Sequence, residues 1–279
     1  MKINNFEVQQ AIDLDVLSPY CPLSYIGGKR WQIPKIKEAI KSISLKNNTV
    51  VSPFCGGSSV EIGIAATGIN VVACDRYNII VNFYKQFQKN PESICQRVVD
   101  YYPINPDKAH LIEYAWSIWN RLNDSSIEND DEAAALTWFV NKNSWRGVTF
   151  FRPPQIRPNT SLEFFTQLKW IHWQNRNIEW HRLDYKETIE RYEDYALYLD
   201  PPYLNREHLY NHYQRDRSDV DHTWLRDYLI NRKVPFILSH DCVPEICEMY
   251  EGLRQVHISR NHGFNKNVKP AVELIITNF

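Results

Sequence analysis

The tetrapeptide Asp200-Pro201-Pro202-Tyr203 directly follows an apolar run, Ala196-Leu197-Tyr198-Leu199. Neither proline can extend a strand's hydrogen-bond ladder, so the chain leaves the strand there in a stiff, extended turn. A carboxylate, a backbone carbonyl and an aromatic ring are thereby presented together at a strand end. Those groups suit chemistry on an exocyclic amino group. On adenine such a nitrogen is a poor nucleophile, because its lone pair is delocalised into the ring. Two acceptors that take both of its hydrogens, the Asp200 carboxylate and the Pro201 carbonyl, favour a pyramidal nitrogen with a freer lone pair. Tyr203 offers a face on which a base taken out of a duplex can stack. A strand merely ended by prolines and capped by an aspartate would look the same in isolation, so the surrounding elements decide.

Asn48 to Ala73 reads as strand, turn, helix and strand. Thr49-Val50-Val51 runs into Pro53-Phe54-Cys55-Gly56-Gly57-Ser58-Ser59, a helical stretch covers Val60 to Thr67, and Asn70-Val71-Val72-Ala73-Cys74 returns as a strand. This is a βαβ unit with its glycines at the first turn. Ser58 and Ser59 are candidate N-caps, and Gly68 suits the helix end. Glycines there let backbone amides approach an anionic or polar ligand near a helix N-terminus. Asp75, at the end of the second strand, stands where a carboxylate of a nucleotide-binding unit accepts hydrogen bonds from ribose hydroxyls. An ordinary tight turn would need no such partner.

Further strands are expected at Pro235 to Ser239 and Val272 to Thr277, with a helix from about Thr223 to Arg232. Between the two halves the chain turns helical and rich in tryptophan and tyrosine. From Asn141 to Arg182 it carries seven basic residues (Lys142, Arg146, Arg152, Arg157, Lys169, Arg176, Arg182) against two acidic ones. The sequence thus predicts an α/β domain built from 1–88 and 183–279, with a largely helical inserted lobe at 89–182. Because the net charge of the 279-residue chain is −1, attraction to nucleic acid must come from local segregation of charge. Arg146, Arg152 and Arg157 in the basic stretch are candidates for DNA contact. So are Arg206 and Arg215 in the basic, aromatic run after Tyr203.

Composition excludes other classes. At 43% hydrophobic and 23% charged residues, with no apolar run near the roughly 20 residues of a membrane helix, a globular, cytoplasmic protein is expected. Met1-Lys2-Ile3-Asn4-Asn5 does not begin a secretory signal. Six scattered cysteines without a CxxC pair argue against a disulfide framework and a zinc ribbon. Glu207-His208 and His212 lack the order and the further ligand of a zinc helix, so no metal is expected. Cys55 reads as a small apolar residue rather than a nucleophile.

Three segments together resemble the Dam-type family of adenine-N6 DNA methyltransferases. They are Tyr25-Ile26-Gly27-Gly28-Lys29, Pro53-Phe54-Cys55-Gly56-Gly57-Ser58 and Asp200-Pro201-Pro202-Tyr203, in the family's order. The resemblance implies a Rossmann-like sheet with an inserted target-recognition lobe, S-adenosylmethionine as methyl donor, and direct attack by the amino group of a flipped adenine in double-stranded DNA. It implies cofactor contacts from Tyr25, Lys29, Phe54, Gly56, Gly57, Ser58 and Asp75. Asp184-Tyr185 resembles the family's pair that meets the cofactor's adenine. Lys29 could meet either the cofactor carboxylate or a DNA phosphate. A cognate restriction endonuclease is a partner the family allows. Two departures stand out: Ser52 occupies the position of an acid before the Pro-Phe pair, and Ser58 that of a third glycine. The same chemistry on cytosine N4, RNA adenine or protein glutamine is the nearest alternative. A non-catalytic DNA-binding relative is another.

Overall fold

The computed structural model describes residues 21–25, 27–101, 113, 117, 130–143, 177–204, 220–260 and 271–279. Thr49–Ser52 (β1), Asn70–Asp75 (β2), Ile178–Arg182 (β3), Ala196–Leu199 (β4), Phe236–Asp241 (β5), Arg254–Arg260 (β6) and Ala271–Thr277 (β7) form one sheet. Its order is β3-β2-β1-β4-β5-β7-β6. β1 to β5 pair in parallel, and β7 runs antiparallel to both β5 and β6. This is the Rossmann-like α/β class expected from the sequence.

Both faces of the sheet are covered, which explains why its strands are near-continuous apolar runs rather than alternating ones. Val50, Tyr198, Ile237 and Ile275 point into one core. Their neighbours Val51, Leu197, Leu199, Leu238, Leu274 and Ile276 point into the other, as the period of two requires. Helices Ile33–Lys41 (α1), Ser59–Ala65 (α2), Asn78–Lys89 (α3), Pro91–Tyr101 (α4) and Asp131–Asn143 (α5) fill the first core. Tyr185–Arg191 (α6), His222–Ile230 (α7) and Pro244–Met249 (α8) fill the second.

The boundary of the predicted lobe needs correction. β3 lies inside the 89–182 stretch, yet it pairs along its whole length with β2, from Val71 opposite Ile178 to Asp75 opposite Arg182. α5 also belongs to the sheet domain. Ala133, Ala134 and Ala135 have little bulk, so α5 comes close to α3, and Trp138 packs tilted or edge-on against Phe83 and Phe87. Trp138 is fully buried, and burying a large apolar side chain contributes roughly 1.5 to 3 kcal/mol. α5 is buried on every side from Ala133 to Phe139, so its sequence carries no amphipathic stripe to distinguish sheet packing from a separate lobe.

α5 also positions the chain that precedes α1. Trp138 Nε1 donates to the Pro22 carbonyl at 3.0 Å. Asn141 clamps Ser24 from both sides: its amide donates to the Ser24 carbonyl at 2.9 Å and its oxygen accepts the Ser24 N–H at 2.8 Å. These three bonds hold Tyr25 and, a few residues on, Lys29 over the C-terminal edge of the sheet. Among the described residues no helix is long and apolar enough to cross a membrane.

Candidate active site

The strand order reverses between β1 and β4, and in open α/β sheets ligands bind beyond the C-terminal ends of the strands at such a switch point. The Gly56-Gly57 turn follows β1 and the Asp200 loop follows β4, so the two strongest motifs flank that point on adjacent strands.

Backbone geometry explains the glycines. Gly56 has φ +43°, a conformation that favours glycine. A Cβ there would lie 2.8 Å from the Tyr25 ring, and one on Gly57 would lie 2.4 Å from Tyr25 Cβ. Tyr25 thus covers the turn in van der Waals contact. Tyr84 of α3 donates its hydroxyl to the Gly57 carbonyl at 2.6 Å and stacks on Trp180 of β3 at 4.3 Å. Ser58 holds the N-cap position of α2, as expected, but with φ 58° and without a side-chain capping bond. Its hydroxyl turns back toward the Cys55 and Gly56 carbonyls. Burial pushes the Cys55 thiol well up, which keeps it neutral and unsuited to nucleophilic attack.

Asp75 is buried, and both of its oxygens are held. Oδ2 accepts the Gly56 N–H and Oδ1 the Tyr77 N–H, each at 2.9 Å. Loss of hydration raises its carboxyl to about 6, against the pull of the Tyr77 and Gly56 bonds. Each oxygen has a second lone pair available to a ligand. Phe54, in the turn after β1, stacks on Tyr185, the first residue of α6, at 5.1 Å. Asp184 caps α6 by accepting the Lys186 N–H at 2.9 Å, and the Tyr185 hydroxyl accepts the Asp221 N–H at 3.0 Å. A positive-φ glycine turn, a buried carboxylate and an aromatic pair beyond the ends of β1, β2 and β3 could hold a nucleoside by its ribose hydroxyls and base.

The β4 side is built around charge. Lys29 is 3% exposed and places Nζ 3.0 Å from Asp200 Oδ1. It also donates to the Gly27 carbonyl at 2.7 Å and lies 4.0 Å from Glu273 Oε2 and 4.6 Å from the centre of the Tyr203 ring. The structure therefore brings Lys29 to the proposed catalytic carboxylate, a pairing absent from both sequence-based alternatives. Burial raises the Asp200 carboxyl above its ordinary range, and Lys29 is the chief opposing influence.

Several participants escaped sequence reasoning. Glu273 of β7 accepts from Tyr203 Oη at 2.9 Å and from Gln32 Nε2. Gln32 in turn accepts from Ser239 at 2.9 Å. His240, which the sequence left without a role, stacks on Tyr203 at 4.7 Å. Its Nε2 faces the Leu204 N–H at 3.4 Å, while Nδ1 meets Asp241 at 2.7 Å. An Nδ1–H tautomer satisfies both contacts, so His240 braces the loop after Pro202 from the end of β5.

Glu61 on α2 is the other unanticipated group. Ser52 donates to its Oε1 at 2.6 Å within the core, and burial pushes its carboxyl up to about 8, with Asp200 and Asp75 adding to the rise. The hydrogen bond returns a carboxyl to the neighbourhood of Ser52, where the family pattern has an acid. An acidic residue on a helix gives no sequence signal that it points inward. Arg146, Arg152, Arg157, Arg206 and Arg215 lie outside the described residues.

A family model described as D12 class N6 adenine-specific DNA methyltransferase matches residues 25–263. The chain is 23% identical to a type II methyltransferase of Lactococcus lactis subsp. cremoris over 280 residues, covering 91% of this chain and 94% of that protein. It is also 23% identical to the modification methylase StsI of Streptococcus sanguinis, over 92% of this chain and 42% of that protein.

Proposed function

The chain belongs to the D12 class of N6 adenine-specific DNA methyltransferases, and we propose that it methylates the N6 amino group of adenine in double-stranded DNA, acting directly on a base turned out of the helix. The observation that carries this reading is the placement of Asp200 beside the Gly56-Gly57 turn, on adjacent strands at the switch point. Membership of the family implies S-adenosylmethionine as the donor, and when bound it supplies a methyl group made electrophilic by its sulfonium.

The protein's own groups do the rest. Asp75 accepts ribose hydroxyls through its free lone pairs, and Phe54 with Tyr185 flanks the cofactor's adenine. Asp200 and the Pro201 carbonyl hold the two amino hydrogens of the target. In the free protein the Lys29 ammonium pairs with Asp200; the incoming amino group shares that carboxylate, and Lys29 keeps it ionised. Tyr203 already has His240 against its ring, so a target base meets the remaining surface beside Lys29. The nitrogen, once the methyl group gives it a fourth substituent and a positive charge, loses one of its two protons, and Asp200, its basicity raised by burial, is placed to accept it. Residues 144–176 and the run after Tyr203 supply the phosphate contacts, with Arg146, Arg152, Arg157, Arg206 and Arg215 as the cations.

Incubation with labelled S-adenosylmethionine and duplex DNA, followed by nucleoside digestion, tests this reading. Label is expected in N6-methyladenine. Label in N4-methylcytosine, or only in RNA or protein controls, overturns the assigned substrate, and failure to bind the cofactor at all points to a non-catalytic DNA-binding protein.

A further inference from the structure

Cys242, Cys247 and His257 come together on the second face of the sheet. Cys242 sits one residue beyond β5, Cys247 lies on α8, and His257 is on β6. One ligand atom from each, two sulfurs and one ring nitrogen, lies within 4.8 Å of the other two. Register explains the convergence. His240 and His257 both stand opposite Leu274 of β7, so they share the face on which Leu274 is buried. Cys242, two residues after His240, projects the same way, and α8 is anchored on that face by fully buried Ile246. The two cysteines are separated by four residues, within the spacing of structural thiolate sites.

From this we infer that Cys242, Cys247 and His257 form a binding site for a zinc-class divalent metal. Two sulfurs and an imidazole select a soft or borderline ion over magnesium or calcium. In a tetrahedral site, metal–sulfur bonds of about 2.3 Å and metal–nitrogen bonds of about 2.0 Å place the donor atoms roughly 3.5 to 4 Å apart, so the observed cluster closes with small side-chain movements. Both cysteines are free thiols and partly accessible, so an ion can reach them. On binding, each thiol releases its proton to solvent and the thiolate becomes the ligand. Three protein donors leave one position for water. The ion would tie α8 to the end of β5 and the middle of β6, near the His240-Asp241 pair that braces the loop after Pro202. The expectation of no metal rests on Glu207-His208 with His212, and the lack of a CxxC pair speaks only against a zinc ribbon; neither considers this set, whose histidine comes from a distant strand.

The test uses the full chain without a polyhistidine tag, reduced, treated with chelator and titrated anaerobically with Co2+. The expected result is one equivalent bound, with thiolate-to-cobalt charge-transfer bands in the near ultraviolet and tetrahedral bands in the visible, all displaced by Zn2+. Cys247→Ser and His257→Ala should each weaken the affinity at least about 100-fold, a ligand being worth no less than its supporting partners, with circular dichroism unchanged. In the unmutated protein, Zn2+ should also protect Cys242 and Cys247 selectively from alkylation. Absence of thiolate–cobalt bands at stoichiometric metal, bands that persist in Cys247→Ser, or alkylation that ignores Zn2+ would each overturn the site.

Discussion

Lys29 Nζ and Asp200 Oδ1 are 3.0 Å apart in a pair of which the lysine is almost wholly withdrawn from solvent. Removing one member of such a pair leaves the other charge buried and uncompensated. Lys29→Met should therefore raise the Asp200 carboxyl further. The acid limb of the pH–rate profile should move to higher pH and turnover at neutral pH should fall by about 10- to 100-fold. Lys29→Arg should recover part of the loss. An unmoved acid limb in Lys29→Met would show that the pair does not control the ionisation of Asp200.

Glu61 links the site to stability. Its carboxyl titrates at about 8 in the fold against an ordinary value of 4.5, so the folded protein holds a proton that the unfolded chain has released. The contribution of the neutral acid is fully present below about pH 4.5 and is lost as pH rises through 8. Asp75 acts in the same direction but has its midpoint at about 6, so from about pH 7 to 8 the decline falls chiefly to Glu61. Stability in urea should decline there by up to about 1.4 kcal/mol per pH unit. Glu61→Gln keeps an acceptor for Ser52 and should flatten that decline. An equally steep decline in the variant would refute the assignment.

Asp75 should show its role through the cofactor. Loss of a charge-assisted partner costs about 1.5 to 3 kcal/mol, so Asp75→Ala should weaken S-adenosylmethionine roughly 10- to 100-fold by calorimetry. Because the carboxyl titrates at about 6, affinity of the unmutated protein should drop as pH falls below that value and level off above it. A pH-independent affinity would place the ribose elsewhere.

DNA binding should weaken steeply with salt as phosphate contacts release counterions. Replacing Arg146, Arg152 and Arg157 together with alanine should reduce the slope of log affinity against log salt by up to about 3 and leave cofactor affinity alone. A slope as steep as before would move the DNA to the run containing Arg206 and Arg215.

The parts of the site that were legible in the sequence are those where backbone geometry restricts residue type. Gly56 at positive φ and the two prolines after Leu199 each leave few alternatives, and they mark the switch point correctly. β3 and β6 went unrecognised because they are the two edge strands, whose apolar residues alternate with polar ones: Ile178–Arg182 carries Trp180 inward to meet Tyr84, and Arg254–Arg260 offers only Val256 and Ile258. The supports of the loop were hidden for a different reason. Glu273 and His240 are distant in sequence and ordinary in type, and only the register of β5 and β7 brings them to Tyr203, while Gln32 joins them through Glu273 and Ser239. Ser58 stands at the N-cap position that its residue type suggests, but a left-handed backbone turns its hydroxyl toward the Cys55 and Gly56 carbonyls instead of the helix.

The most direct test concerns Asp200, whose proposed action lies in the transition state as positive charge develops on the amino nitrogen. Removing a preorganised electrostatic partner commonly costs about 10² to 10³ in rate. Single-turnover methylation by Asp200→Ala, with saturating DNA and cofactor, should therefore be slower by at least that factor, while DNA and cofactor affinities change far less. Asp200→Asn, which keeps one acceptor oxygen without the charge, should retain partial activity at most. Methylation of adenine by Asp200→Ala at the wild-type single-turnover rate would contradict the mechanism.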